Sequence, residues 1–142
     1  MTAPLAAAVI AALRQQGLTL AAAESCTGGL VAKLLTDVPG ASRAFLGGVV
    51  SYTNGVKQGV LGVPEDTLAA YGAVSPETAR AMAQGVRRIT GADLGISVTG
   101  VAGPDRDDRG NEVGTVYAAL SAAAGTFVRK LAVGCGSREE IR

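Results

Sequence analysis

Short apolar blocks alternate along this chain with segments rich in glycine, proline and hydroxyl side chains. Leu5 to Gln16 reads as a helix stopped by Gly17. Leu18 to Ala23 reads as a short buried strand: its alanines also suit a helix, but the flanking Gly17 and Ser25 favour a strand. Thr27 to Leu35 follows as a helix with Leu30, Val31, Leu34 and Leu35 on one face, ended by Pro39-Gly40. Ala44 to Thr53, rich in Val, Phe and Tyr, predicts a strand, and Gly47-Gly48 inside it implies a bulge or a close backbone approach. Asn54-Gly55 signals a turn, and a short helical turn after it carries Lys57. Pro64 opens a small helix over Glu65 to Tyr71. Ser75-Pro76-Glu77 supplies an N-cap, a proline at the first helical position and an acid in the first turn, so a long helix runs from there to about Thr90, where Gly91 stops it. Leu94 to Thr99 is a buried strand, Gly100 to Glu112 a polar loop, and Gly114 to Ser121 with Thr126 to Val133 a hairpin. Ser137-Arg138-Glu139-Glu140 matches a capping box opening a last helix, whose body would lie past Arg142.

Strand and helix alternate through most of this pattern, which predicts a largely parallel sheet covered by helices on both faces, made mixed by the late hairpin. No repeat or linker interrupts it, so residues 1–142 read as one domain, large enough to bury a core without disulfides. Composition sharpens that core. Hydrophobic residues are 48% of the chain but aromatics only 4%, so the packing must be aliphatic and alanine-rich. The Ala-rich helix faces leave a homodimer open.

Charge and cysteine content narrow the setting. Thirteen basic residues balance twelve acidic ones, leaving no surplus to neutralise a phosphate backbone, and nucleic acid is not an expected partner. Two cysteines, Cys26 and Cys135, are too few for a disulfide framework and point to a reducing cytoplasm. The apolar start, Met1 to Ala12, lacks a basic leader and is cut short by Arg14 and Gln15. It reads as a helix, not a signal peptide or a membrane span. The chain contains no histidine, which excludes a Ser-His-Asp triad, a Cys-His dyad and nearly every catalytic zinc site.

Chemistry must then come from other groups, and sites in open α/β sheets gather at the carboxyl ends of strands. Three segments fall there. Glu24-Ser25-Cys26-Thr27-Gly28-Gly29 places hydroxyl and thiol groups at a helix N-terminus, where exposed N–H groups suit an anion or an oxyanion. Ser25 or Thr27 serves equally well there as a plain N-cap, and Cys26 is a rival nucleophile to Ser25. Ser51 to Lys57 offers Tyr52 and a lysine. A lysine against a desolvated wall loses proton affinity and can act as a base, the partner a nucleophilic serine needs where histidine is absent; an ordinary solvated lysine is the alternative. Thr99-Gly100-Val101-Ala102-Gly103-Pro104-Asp105 is a second glycine-rich turn able to line the same pocket. Its tail, Asp105, Asp107 and Asp108, has Val116 where a calcium loop would end in an acid, and reads as a solvated loop. No metal site is expected.

Five short motifs carry a resemblance. They are Ala22-Ala23-Glu24-Ser25-Cys26-Thr27-Gly28-Gly29, Tyr52-Thr53-Asn54 with Lys57, Gly72-Ala73-Val74-Ser75, Thr99-Gly100-Val101-Ala102-Gly103-Pro104, and Val113-Gly114-Thr115-Val116. In that order and spacing the chain, from about Leu13 to Arg142, resembles the CinA C-terminal-domain family, the nicotinamide-mononucleotide amidohydrolases. The resemblance implies a three-layer αβα sandwich with a mixed, mostly parallel sheet of about five strands. It implies hydrolysis of the carboxamide of nicotinamide mononucleotide to nicotinic acid mononucleotide and ammonia, without a cofactor. Position by position, Ser25 would be the nucleophile and Lys57 its base, with Tyr52 beside them. Cys26, Thr27, Gly28, Gly29, Thr99, Gly100 and Gly103 would bind substrate, and Arg138 and Arg142 would contact its phosphate. The family's final helix and the N-terminal domain of its longer members are not in this sequence. The alternative functions are a nucleotide- or phosphate-binding module without turnover, or an oligomeric interaction domain.

Overall fold

A computed structural model describes residues 2–142; Met1, the first residue of the apolar start, lies outside the described residues. Helix α1, Ala3–Gln16, has Pro4 in its first turn and ends on Gly17 in the left-handed conformation. Strand β1, Leu20–Glu24, is buried at every position, as a central strand covered on both faces must be. Helix α2, Leu30–Thr36, begins three residues later than the apolar pattern suggests. The intervening Gly28 and Gly29 both take positive φ and form a tight turn instead.

A 3-10 turn, Ala41–Arg43, leads into strand β2, Phe45–Val50, which stops short of Thr53 because Thr53 caps the next helix. The paired glycines of β2 do what their position implies. The register slips between Leu20 and Ala21, which face Phe45 and Gly47, and a Cβ on Gly48 would lie 2.6 Å from the Ala22 carbonyl oxygen. Helices α3 (Asn54–Gly59) and α4 (Glu65–Tyr71) precede the long helix α5, Pro76–Thr90, which Ser75 caps and Gly91 ends. Strand β3, Leu94–Gly100, then enters the sheet, and β4 (Thr115–Ala122) and β5 (Gly125–Ala132) form the hairpin. A four-residue helix α6, Arg138–Ile141, carries the full capping box between Ser137 and Glu140.

The sheet runs β2-β1-β3-β4-β5, with the first three strands parallel and β4 antiparallel to both of its neighbours, β3 and β5. On one face Ala6, Ile10 and Leu13 of α1 and Leu35 of α2 pack on Leu20 and Ala22. On the other, Met82 and Val86 of α5 and Leu68 of α4 pack on Ala21 and Ala23. The result is a three-layer αβα sandwich. Coverage is uneven: α5 also shields one side of the hairpin through Ala79, Ala83 and Ala119. The side bearing Leu120, Phe127 and Leu131 is exposed, Phe127 by 61%. No helix among the described residues is long and apolar enough to cross a membrane.

Candidate active site

Parallel pairing brings the carboxyl ends of β1, β2 and β3 to one edge, and the three sequence segments meet there. The Ser25 amide donates to the Val98 carbonyl of β3 (3.0 Å), and the Ser51 amide to the Glu24 carbonyl of β1 (2.7 Å), so both turns are pinned to neighbouring strands. Lys57 comes from α3, whose first turn is capped by the Thr53 hydroxyl. Its side chain runs inward and is only 1% exposed. Its Nζ donates to the Ser51 carbonyl at 2.6 Å and lies 2.9 Å from Ser25 Oγ.

Burial pushes the Lys57 ammonium down from 10.5 to about 8, with the Cys26 thiol acting in the opposite sense. No acid among the described residues pairs with it. The ion pairs among the described residues, Lys33–Asp37 and Arg106–Glu112, are both exposed and elsewhere. Lys57 is therefore no solvated surface lysine but a buried amine with its proton weakly held.

Glu24, next to Ser25, is 2% exposed and turns the other way. Its Oε1 accepts from the Thr27 hydroxyl (2.6 Å), the Gly29 amide (3.2 Å) and the Val31 amide (2.9 Å), and its Oε2 from the Ala32 amide (2.9 Å). One buried carboxylate thus takes the N-terminal donors of α2 and meets the positive end of its dipole. This corrects two expectations. The Thr27 hydroxyl and Gly29 amide are committed to Glu24, and the Gly28 amide donates to the Ser25 carbonyl at 3.1 Å, so these groups are not open to a substrate. Neither Ser25 nor Thr27 is the N-cap of α2; that place is Gly29, and Glu24 does the capping. The amides of Cys26 and Thr27 donate to no oxygen among the described residues; both bear on the Cys26 sulfur.

A cavity of about 240 Å³ opens over the pair. Its lining comes from Ser25, Cys26, Tyr52 and Lys57, from Ala73 and Val74, and from Thr99 to Gly103 with Asp105, Asp107 and Arg138. Thr99 lines it while its hydroxyl donates to the Ala73 carbonyl (2.8 Å), tying β3 to the turn before α5. Arg138 reaches from α6 to the Gly103 carbonyl (2.6 Å) and the Tyr52 hydroxyl. Thr27, Gly28, Gly29 and Arg142 do not line the cavity. Arg142 donates to the Thr27 carbonyl (3.1 Å) and its guanidinium lies where a Cβ on Gly28 would be, 2.7 Å away, so here it buttresses the turn from outside. The Asp105 to Asp108 loop is also more than solvated: Asp107 accepts from the amide and side chain of Asn111, both at 2.7 Å, and fixes its shape.

Cys26 is buried beside Ser25, and burial pushes its thiol up, against the N–H groups of Cys26 and Thr27 and the charges of Lys57 and Arg142, which pull it down. The thiol form dominates, and Ser25, not Cys26, touches the lysine.

Glu24 and the Ser51 carbonyl are the parts that sequence reasoning left without a role. An acid ending an otherwise apolar strand was the one available signal for Glu24, since such a group is buried only when hydrogen-bonded.

An αβα domain with a serine–lysine pair at the carboxyl end of its central strand is the class that this geometry defines. The chain belongs to the CinA C-terminal domain family, whose profile matches residues 2–142. It is 55% identical over 131 residues to a CinA-like protein of Desulfotalea psychrophila, and 52% identical over 135 residues to one of Geobacter sulfurreducens. These alignments take in 92% and 95% of the chain and 32% of each relative, so the chain spans about a third of the length of the curated relatives it matches. Among solved structures, the competence/damage inducible protein CihA of Agrobacterium tumefaciens superposes with a TM-score of 0.93 at 39% identity, covering 98% of this chain and 85% of that one. A CinA superfamily protein of Klebsiella pneumoniae gives 0.95 at 33% identity, covering 99% and 88%.

Proposed function

We propose that this domain is a serine amidohydrolase that deamidates nicotinamide mononucleotide to nicotinic acid mononucleotide and ammonia, within pyridine-nucleotide salvage. The observation that carries the reading is the contact between Lys57 Nζ and Ser25 Oγ, 2.9 Å, in which the amine is buried and lacks a counter-ion. The five-motif resemblance supplies the substrate.

Neutral Lys57 donates one N–H to the Ser51 carbonyl, which leaves its lone pair for the Ser25 hydroxyl proton. Ser25 Oγ then bonds to the amide carbon while Lys57 takes that proton, and the carbonyl oxygen becomes an oxyanion beside the Cys26 amide, the turn amide whose residue lines the cavity. Collapse breaks the carbon–nitrogen bond, and the lysine proton leaves with nitrogen as ammonia. Water attacks the acyl-serine, gives a proton to Lys57, and the acid departs as Ser25 recovers its hydrogen. The cavity is smaller than the roughly 300–1,000 Å³ usual for drug-sized ligands, so it suits the reacting ring, with the ribose phosphate at the mouth near Arg138.

A phosphate-binding module has less support, because the helix terminus it would use is filled by Glu24. Ammonia release from nicotinamide mononucleotide, with glutamine and free nicotinamide as controls, tests the proposal. Ser25→Ala should abolish release with the fold intact; full activity in that variant sinks it.

A further inference from the structure

The cavity wall carries four charged side chains: Lys57, Arg138, Asp105 and Asp107. Three are already engaged. Lys57 contacts Ser25 and the Ser51 carbonyl, and Arg138 contacts Gly103 and Tyr52. The carboxylate of Asp107 accepts from the amides of Arg109 and Asn111 and from the Asn111 side chain. Asp105, exposed in the turn after β3, has neither a hydrogen-bond nor an ion-pair partner among the described residues.

The Arg138 guanidinium, and the Lys57 ammonium before it gives up its proton, work against any positively charged ligand. A nicotinamide nucleotide brings such a charge, fixed on the ring nitrogen two bonds around the ring from the carbon bearing the amide. With the amide carbon at Ser25, the ring must occupy the cavity. Groups facing each other across a space of about 240 Å³ lie within a Debye length, about 8 Å at physiological salt, so their interaction survives screening.

We infer that Asp105 is a specificity-determining residue that selects substrates with a positively charged ring, its free carboxylate attracting that charge and offsetting the repulsion from Arg138. The inference rests on the amidohydrolase reading for the placement of the ring. It predicts a site that reads both ends of a dipolar ligand, the cationic ring at Asp105 and the anionic tail at Arg138.

The test compares nicotinamide mononucleotide with the benzamide C-nucleotide monophosphate, which keeps carboxamide, ribose and phosphate but has a neutral benzene ring. Asp105→Asn should lower kcat/KM for the cationic substrate about three- to fivefold and leave the neutral one unchanged, as loss of one exposed charge pair would. Asp105→Glu should restore the preference. Equal loss on both substrates overturns the inference, because a merely structural aspartate would act that way. Binding of the two nucleotides to Ser25→Ala and to Ser25→Ala with Asp105→Asn, followed by calorimetry, separates this from the activity reading. If wild type releases ammonia from neither compound, that reading fails, yet a preference for the cation that vanishes with Asp105→Asn still supports the role of Asp105. Absence of any preference, or of binding, overturns it.

Discussion

Lys57 Nζ stands 2.9 Å from Ser25 Oγ, although 32 residues separate the two in the chain, and no carboxylate among the described residues pairs with the amine. A lysine so placed becomes a base only when it loses its proton, and burial has brought that event down to about pH 8. The proposed reaction should therefore quicken with pH. The kcat/KM for ammonia release should fall about tenfold for each pH unit below 8 and level off above it. Lys57→Met should remove the step from the profile together with most of the rate. A pH profile measured from 6 to 10 decides it, and a flat one would remove Lys57 from the role of base.

The same shift makes a stability prediction. Lys57 titrates at its ordinary 10.5 in the unfolded chain and at about 8 in the fold, so between these values the unfolded chain holds more protons. Stability rises with pH wherever that is so, and the cost of burying the ammonium stands in full below about pH 8. Relative to Lys57→Met, wild type should gain about 2 kcal/mol between pH 7 and pH 10. Urea denaturation of both proteins at the two pH values gives that difference, and other titrating groups cancel.

What the chain discloses before folding, and what it withholds, follows from range. The order of elements was legible because apolar period and glycine punctuation are local: Gly17, Gly91 and the Ser75-Pro76 start mark real helix ends. The bulge at Gly47-Gly48 was legible for the same reason. The missing histidine made Ser25 and Lys57 candidates and the family resemblance selected them over Cys26 and a plain N-cap, but their contact was not legible, since Asn54-Gly55-Val56-Lys57 looks like any solvated turn until β2 delivers it to the sheet edge. Glu24 was hidden more deeply. Its four donors come from Thr27, Gly29, Val31 and Ala32, and they converge only after the glycine turn has delayed α2 by three residues. The Arg138–Tyr52 contact spans 86 residues and left no trace in either segment.

Glu24 should be among the least replaceable residues near the site. Glu24→Ala strands the buried Thr27 hydroxyl and three amides at a half-buried helix end, and bonds to a charged acceptor contribute about 1.5–3 kcal/mol each. A loss of about 3 kcal/mol or more is expected, read from the denaturation midpoint at unchanged m-value. Glu24→Gln keeps an acceptor oxygen but not the charge, so it should lose less stability. If activity follows the stability ranking of wild type, Gln and Ala, the carboxylate acts by holding the Ser25 turn; equal stability across all three would refute the capping role.

The two cysteines should behave as opposites, and their contrast bears on which residue is the nucleophile. Cys135 is exposed, whereas Cys26 is buried with its thiol pushed up by that burial. Alkylation depends on the thiolate and on access, so iodoacetamide at neutral pH should label Cys135 in the native protein and reach Cys26 only on unfolding. Peptide mass mapping with and without urea reads both sites. Labelling Cys135 should leave ammonia release unchanged, because it does not line the cavity. Cys26→Ala tests the remaining rivalry. The variant should keep its Ser25–Lys57 contact and lose no more than about tenfold in rate, since it removes packing on Ala102, Val116 and Ile141 and one atom of cavity wall but no hydrogen bond of Ser25 or Lys57. Loss as complete as that of Ser25→Ala would move the covalent step to the sulfur.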